Sequence, residues 1–157
     1  MPDRPLLLVD VDGVLSVFGP DVDRDACIPA LVDGIPHFLS RSAAGALARI
    51  APLFECVWCT GWEDRAEDHL PRLLGLPGGW HHLSFTDRPE DAAHWKLRAI
   101  DAFAGPDRAL AWIDDAHDGR CRAWAHGRTA RTLLVTTDPA CGLTVAAADQ
   151  LSEWARG

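Results

Sequence analysis

The segment that most constrains the fold is Leu6-Leu7-Leu8-Val9-Asp10-Val11-Asp12-Gly13-Val14, an apolar run interrupted by two carboxylates and a glycine. An apolar run this short, bounded by proline and glycine, is typical of a strand buried on both faces at the centre of a parallel sheet. Because Gly13 allows a turn where the strand ends, Asp10 and Asp12 can reach one pocket. Two neighbouring carboxylates repel each other, so we expect the pocket to hold a divalent cation or to keep one carboxyl protonated.

Length and charge narrow the class of protein. With 157 residues the chain is long enough to bury its own core, and we expect one domain over residues 1–157. Fifteen basic against twenty-three acidic residues give a net charge of -8, which disfavours a general binder of nucleic acid or anionic membranes but leaves room for a local basic groove. No window reaches transmembrane length and the first residues carry no basic and apolar leader, so we expect a cytoplasmic protein with no membrane partner. The sequence does not indicate an oligomeric state.

The five cysteines favour buried thiols over a redox or zinc pair. They stand at positions 27, 56, 59, 121 and 141, an odd and scattered set that fits a reducing compartment. Cys56 and Cys59 form a CxxC, but they lie in an apolar run where this spacing puts them on opposite faces of a strand. No second Cys/His pair at ligand spacing follows, which disfavours zinc.

Strand and helix patterns alternate along the chain. Apolar runs predict further strands at residues 54–59, 109–113 and 132–136, with a shorter one at 81–85. Helical periodicity predicts helices over residues 40–52, 62–74, 90–103, 116–126 and 145–154. Residues 14–39, rich in glycine, proline and aspartate, predict a hairpin or flap. The alternation predicts an α/β fold, a three-layer, doubly wound parallel sheet with this short flap.

The ends of the predicted strands gather the unusual polar residues. In an open parallel sheet the ligand site lies beyond the carboxyl ends of the strands. This rule brings together Asp10, Asp12, Thr60, Asp114 and Asp115, and the helix before the strand at 109–113 adds Lys96. Lys96 is the only lysine among fifteen basic residues, which favours a site that needs a compact ammonium. Four carboxylates, one hydroxyl and one ammonium suit a Mg²⁺ ion and a phosphoryl group held side by side.

The order of these motifs resembles the haloacid dehalogenase (HAD) superfamily of phosphatases and phosphotransferases. The resemblance rests on Asp10-Val11-Asp12-Gly13-Val14-Leu15, then Thr60-Gly61, Lys96, and Ile113-Asp114-Asp115, and it covers essentially the full chain. The segments Val57-Trp58-Cys59-Thr60-Gly61-Trp62-Glu63, His94-Trp95-Lys96-Leu97 and Ala111-Trp112-Ile113-Asp114-Asp115 are also similar to a little-characterised bacterial branch related to RNA-repair modules. The resemblance implies a HAD-like Rossmannoid fold.

The resemblance also implies a role for each motif residue. Asp10 would be the nucleophile that forms an aspartyl-phosphate, and Asp12 the general acid and base, whose backbone carbonyl binds the metal. Thr60 and the Gly61 N–H would hold phosphate oxygens, while Lys96 would offset negative charge. Asp10, Asp12, Asp114 and Asp115 form the implied metal set, with Asp114 ligating Mg²⁺ directly or through water. The implied activity is Mg²⁺-dependent hydrolysis of a phosphate monoester.

Several residues have a second interpretation. Asp115 is as well placed to cap the following helix as to bind metal, and Asp118 is a candidate further carboxylate near the metal. Trp62 and Trp95 flank the phosphate residues and could form a stacking wall for a base or ring. The other six histidines show no metal-ligand spacing, and His37, in the flap, is the one histidine whose role stays open.

Access to the site sets the size of the substrate. Within the superfamily, a cap domain is inserted either after the first aspartate motif or before the lysine motif. Here the first insertion point holds only residues 14–39, and residues 85–96 are too short to hold a domain at the second. The resemblance therefore implies a capless, open site for a phosphorylated small molecule or macromolecular end. Two alternatives remain: a nucleic-acid end phosphatase, which the net charge disfavours, and a non-catalytic phosphate- or metal-binding module.

Overall fold

The computed structural model describes residues 3–157 as an alternation of strands and helices. In chain order the elements are β1 Leu6–Val9, β2 Ser16–Val17, β3 Cys27–Val32, β4 Ile35–Ser40, α1 Arg41–Ile50, β5 Glu55–Trp58, α2 Asp64–Leu74, β6 His81–His82, α3 Leu97–Ala104, β7 Leu110–Asp114, α4 Gly119–Gly127, β8 Thr132–Thr136 and α5 Val145–Ala155. Short 3₁₀ turns cover Arg24–Ala26, Ala51–Leu53 and Ala93–Lys96.

Five parallel strands form the central sheet in the order β6-β5-β1-β7-β8. Strand β1 lies in the middle, with Leu8 opposite Val57 of β5 on one side and Trp112 of β7 on the other. All four residues of β1 are buried because both faces of the sheet are covered. The prediction of an α/β fold with a parallel sheet is confirmed.

The core divides into two clusters, one on each face of the sheet. Leu7 and Val9 belong to the first cluster, together with apolar residues of α1, α2 and α5. Leu6 and Leu8 belong to the second, together with residues of α3 and α4. The predicted three layers are therefore present. No helix within residues 3–157 is long and apolar enough to span a bilayer.

The flap is an antiparallel sheet of three strands in the order β2-β4-β3. Val32 pairs with Ile35, so Asp33 and Gly34 form a two-residue turn, and both have positive φ, as a type I′ hairpin requires. Strand β4 ends at Ser40, whose hydroxyl accepts a hydrogen bond from the Ala43 N–H and caps α1. The predicted flap is confirmed, and within residues 3–157 no cap domain covers the sheet edge.

Cys56 and Cys59 lie on opposite faces of the sheet, as their spacing predicts. Cys56 packs in the first core cluster and Cys59 in the second, and both are buried free thiols. Burial raises the pKa of Cys56 to about 12, so its thiolate is not populated at neutral pH. The two residues therefore serve packing.

Some element boundaries differ from the predictions. The helix predicted over 90–103 is a 3₁₀ turn, Ala93–Lys96, followed by α3 from Leu97. The helix predicted over 116–126 begins at Gly119, because Asp118 accepts a hydrogen bond from the Cys121 N–H and acts as the N-cap. The strand predicted at 81–85 pairs only over His81–His82.

Candidate active site

Three carboxylates converge at the carboxyl edge of the sheet. Asp10 directly follows β1, Asp114 ends β7, and Asp115 follows it. The Asp10 N–H bonds the Ile113 carbonyl at 3.1 Å, so the pairing of β1 with β7 continues up to the site. One oxygen from each of Asp10, Asp114 and Asp115 lies within 4.8 Å of the others. We call these three residues the carboxylate cluster; the structure brings together the three predicted side-chain ligands for a metal.

Lys96 joins the ends of three strands. It is 4% exposed and comes from the 3₁₀ turn before α3. Its Nζ lies 2.6 Å from Asp114 Oδ2 and 3.3 Å from Asp10 Oδ1, and it donates to the Cys59 carbonyl at 3.1 Å. The only lysine of the chain is thus buried against two members of the carboxylate cluster.

One ammonium does not neutralise the carboxylate cluster. Burial raises the pKa of Asp10 from 3.8 to about 8, because Lys96 offsets the lost hydration only in part and Asp114 adds a second negative charge. Burial and Asp114 likewise raise the pKa of Asp115 to about 6. Burial alone would lower the pKa of Lys96, but Asp10 and Asp114 outweigh it and raise that pKa above its ordinary range. The site therefore takes up a proton or binds a cation.

The donor set fits Mg²⁺. Hard divalent cations prefer oxygen ligands, and the carboxylate cluster offers three oxygens in close range. Asp10, Asp114 and Asp115 would hold the ion. Gly13 makes room for this arrangement: its φ is +80°, and a Cβ there would collide with the Asp115 carboxyl.

We expect Mg²⁺ to stabilise the protein more at pH 8 than at pH 5. Between pH 5 and pH 8, Asp10 is still protonated in the folded metal-free protein but ionised in the unfolded chain. The free energy of unfolding of the metal-free protein therefore falls as pH rises. Mg²⁺ binds the ionised carboxylates and reverses this loss. At a hundredfold excess over Kd, binding adds about 2.7 kcal/mol, a rise in Tm of roughly 5–10 °C. Thermal unfolding with Mg²⁺ and with EDTA at both pH values measures the effect.

Two variants control this measurement. Asp115→Asn removes one carboxylate of the cluster and should reduce the stabilisation by Mg²⁺. Asp149→Asn removes an exposed carboxylate that pairs with Arg49, and it should leave that stabilisation unchanged. A Mg²⁺ effect that is equal at both pH values, or equal in both variants, would contradict a metal site at the carboxylate cluster.

Asp12 is not a member of the carboxylate cluster and is exposed. Its Oδ2 accepts a hydrogen bond from Trp62 Nε1 at 3.1 Å. The Trp62 ring is only 6% exposed and lies 4.8 Å, centroid to centroid, from the ring of His37, whose Nδ1 is 2.9 Å from Ser16 Oγ. Trp62 therefore offers no free ring face, and the hypothesis that it forms a stacking wall for a base or ring is wrong. Instead, Trp62 orients Asp12, and the His37 ring packs against the Trp62 ring.

Thr60 and Gly61 occupy different environments. Thr60 is fully buried, and its hydroxyl accepts a hydrogen bond from the Trp62 N–H at 3.2 Å. Gly61 lines the same cavity as Asp10 and Lys96. The turn fixed by Thr60 thus brings the Gly61 backbone to the site, and the contact of Thr60 with a phosphate oxygen stays a prediction.

Two cavities meet at Asp12. The metal cavity, of about 250 Å³, is lined by the loop at 89–92 and by Asp10, Asp12, Gly61, Trp95, Lys96, Asp114 and Asp115. The flap cavity, of about 370 Å³, is lined among others by Asp12, Ser16, Phe18, Arg24, His37 and Phe38. Trp95 thus lines the site as predicted, although its stacking role is untested. Sequence reasoning missed Phe18, Arg24 and Phe38, because only the pairing of the flap strands brings them to Asp12.

Asp118 caps α4, so the alternative role of Asp115 as the helix cap is wrong. Asp118 accepts a hydrogen bond from the Cys121 N–H and is hydrogen-bonded to His94. These two bonds hold the pKa of Asp118 below its ordinary range. His94 bridges Asp118 at 2.8 Å and Glu90 at 2.9 Å, which ties the loop of the metal cavity to α4. Asp118 is outside the carboxylate cluster, and Asp115 is inside it.

Comparison with known proteins agrees with this geometry. Over residues 6–148 the chain matches a family described as the HAD domain in Swiss Army Knife RNA repair proteins. The chain belongs to this family. The resemblance to an RNA-repair-related branch of the HAD superfamily is thereby confirmed. No curated protein matches the chain. Membership of the HAD family supports a phosphohydrolase-type function, and the buried carboxylate cluster agrees with the general metal dependence of HAD enzymes.

Proposed function

We propose that this HAD domain is a Mg²⁺-dependent phosphohydrolase that cleaves phosphate monoesters through an aspartyl-phosphate on Asp10. One observation carries the proposal: a buried Asp10 lies 3.3 Å from the ammonium of Lys96 and within a carboxylate cluster, beside an exposed Asp12. A carboxylate is a weak nucleophile, so alignment and charge neutralisation must supply most of the acceleration.

The first step transfers the phosphoryl group to Asp10. Asp10 Oδ1 already accepts a hydrogen bond from the Val11 N–H at 2.8 Å and faces Lys96, which leaves Oδ2 to attack phosphorus. As the new O–P bond forms, the bond to the leaving oxygen breaks and Asp12 gives that oxygen its proton. Mg²⁺, when bound, supplies positive charge that offsets the negative charge of the cluster and phosphate. Lys96 adds a fixed charge on the same side.

The second step regenerates Asp10. Asp12, now a carboxylate, accepts a proton from a water molecule as the water oxygen attacks the phosphorus of the aspartyl-phosphate. The bond between Asp10 and phosphorus breaks, inorganic phosphate leaves, and Asp12 again holds a proton for the next cycle. The exposed position of Asp12 between two cavities suits a group that meets both the leaving oxygen and water.

The test is phosphate release from p-nitrophenyl phosphate with Mg²⁺ and with EDTA. We expect turnover that requires Mg²⁺, and protection from thermal unfolding by beryllium fluoride with Mg²⁺, a combination that mimics the aspartyl-phosphate. Turnover that EDTA leaves unchanged would contradict the proposal. Retained Mg²⁺ binding with no turnover of any phosphate ester would favour a non-catalytic binding module.

A second candidate is phosphatase activity on RNA ends. The family description, which names RNA repair proteins, favours it, whereas the net charge of -8 weakens the attraction of a polyanion. Release of phosphate from 3′- or 5′-phosphorylated oligoribonucleotides is the direct assay. Turnover of small esters alone would exclude this candidate.

Trp62 is expected to act as a positioning residue for Asp12. Trp62→Phe keeps the buried ring but removes the Nε1 donor that lies 3.1 Å from Asp12 Oδ2. General acid catalysis matters most for poor leaving groups, so kcat/KM for ethyl phosphate should fall roughly tenfold further than kcat/KM for p-nitrophenyl phosphate. The p-nitrophenolate ion needs no proton to leave.

Trp58→Phe is the matched control for this prediction. Trp58 is also buried and donates through Nε1, but its acceptor is Glu67 Oε2 at 2.8 Å. This control should lower both kcat/KM values by the same factor, if at all. Equal losses for the two substrates in Trp62→Phe would show that Trp62 serves folding alone.

A further inference from the structure

We propose that the flap cavity binds the leaving group of the substrate and selects a small leaving group that carries a planar ring. The inference rests on the proposed function, since it assigns a substrate class to the same site. Asp12 lines both the metal cavity and the flap cavity.

The position of the bound phosphoryl group sets the direction of its leaving group. Asp10, Lys96 and Asp114 line the metal cavity but not the flap cavity, so the phosphoryl group is bound on that side. The attacking and leaving oxygens lie roughly in line on opposite sides of phosphorus. The leaving oxygen therefore points away from Asp10, toward the group that protonates it. Beyond Asp12 the space is the flap cavity.

The walls of the flap cavity decide what fits there. Phe18, His37 and Phe38 supply three rings, and Val22 and Pro36 add apolar surface. Phe18 lines the cavity and is 49% exposed although it is large and apolar, so about half of its surface is uncovered beside the site. Arg24 lies over the Phe38 ring at 5.1 Å, and a guanidinium plane is itself a stacking surface. A volume of about 370 Å³ accommodates a ring-bearing group.

These walls are held in place before any substrate arrives. Val17 pairs with Phe38 across β2 and β4, and the Phe18 N–H bonds the Pro139 carbonyl at 2.9 Å. Ser16 Oγ lies 2.9 Å from His37 Nδ1 and fixes that ring. His37 and Phe38 lie on a paired strand and Phe18 directly follows β2, so the backbone of this wall loses little conformational freedom on binding, which favours affinity for a rigid ring.

The charges on the flap favour a small ester over the end of a long polyanion. Asp21, Asp23 and Asp25 surround Arg24 in the chain, and all three are exposed. These carboxylates flank two residues of the cavity wall in the chain, Val22 and Arg24, and would repel a polyanion that extended past the flap cavity. The occupant is therefore a ring with no long phosphate backbone attached.

Benzyl phosphate and ethyl phosphate test the assignment, because both are esters of simple alcohols and differ in the ring. Titration calorimetry with the Asp10→Asn variant and Mg²⁺ measures binding without turnover. We expect benzyl phosphate to bind about tenfold more tightly than ethyl phosphate. Phe18→Ala in the Asp10→Asn background should bring that ratio toward one. Phe103→Ala in the same background is the matched control. Phe103 is 42% exposed and lines neither cavity, so the ratio of the two affinities should not change.

Each result bears on the assignment. Equal affinities for the two esters, binding of neither, or a ratio that Phe18→Ala leaves unchanged would overturn it. A 3′-phosphorylated oligonucleotide that binds more tightly than a nucleoside 3′-monophosphate would overturn the restriction to small esters. A ring preference in binding together with no turnover by the unmodified protein would support the ring site and contradict the proposed function, so the two failures are distinguishable.

Discussion

Asp10→Asn is expected to abolish phosphate release, with kcat lowered by roughly a thousandfold or more. The amide removes the carboxylate oxygen that attacks phosphorus, so no aspartyl-phosphate can form. It also removes one oxygen anion from the carboxylate cluster, so binding of Mg²⁺ should weaken. Steady-state phosphate release at saturating Mg²⁺ measures the loss. Activity unchanged in this variant would refute the mechanism.

Stability separates this loss of chemistry from a loss of fold. Burial raises the pKa of Asp10 to about 8, so the metal-free site favours a neutral group there, and an asparagine oxygen can still accept the Val11 N–H. In EDTA at pH 8 we therefore expect the Tm of Asp10→Asn to equal or exceed that of the unmodified protein. An inactive variant with a strongly lowered Tm would instead indicate that Asp10 acts through folding.

The carboxyl edge of the sheet could be predicted from local patterns. The buried run Leu6–Val9 and the run that ends in Asp114 identify neighbouring parallel strands, and parallel strands place their carboxyl ends together. Asp10, Asp114 and Asp115 therefore meet regardless of the details of the loops. Lys96 could be found because it is the one lysine in a chain whose other basic residues are arginine.

The flap cavity and the partners of Asp12 could not be predicted in this way. Trp62 meets Asp12 across 50 positions of sequence, between the loops that follow β5 and β1, and His37 meets Ser16 across 21, between two paired strands of the flap. Neither contact follows from a local sequence pattern. Alternation along a strand says which face a side chain takes but not which ring it meets. The boundary at Gly119 was missed for a different reason: both Asp115 and Asp118 suit an N-cap, and the second makes the hydrogen bond.

Lys96→Met is expected to destabilise the protein by about 3–5 kcal/mol, because it leaves the buried Asp114 carboxylate without a counter-charge. An ammonium has three donors, and the three partners of Nζ are Asp10 Oδ1, Asp114 Oδ2 and the Cys59 carbonyl. The planar fork of arginine does not reproduce this arrangement, so Lys96→Arg should not restore stability. Urea unfolding of the metal-free proteins at pH 7 measures the loss.

Arg49→Met supplies the matched control, since it also removes one positive charge but at the surface. The Arg49–Asp149 pair is exposed, with 2.7 Å between Nη2 and Oδ1, and its loss should cost less than about 1 kcal/mol. Mg²⁺ should restore part of the stability of Lys96→Met, because a cation at the carboxylate cluster replaces the missing charge, and it should do nothing specific for Arg49→Met. Equal losses in the two variants would mean that Lys96 does not stabilise a charged Asp114 in the folded metal-free protein. Lys96 would then act on the phosphoryl group alone, and only kcat/KM, not unfolding, would report its removal.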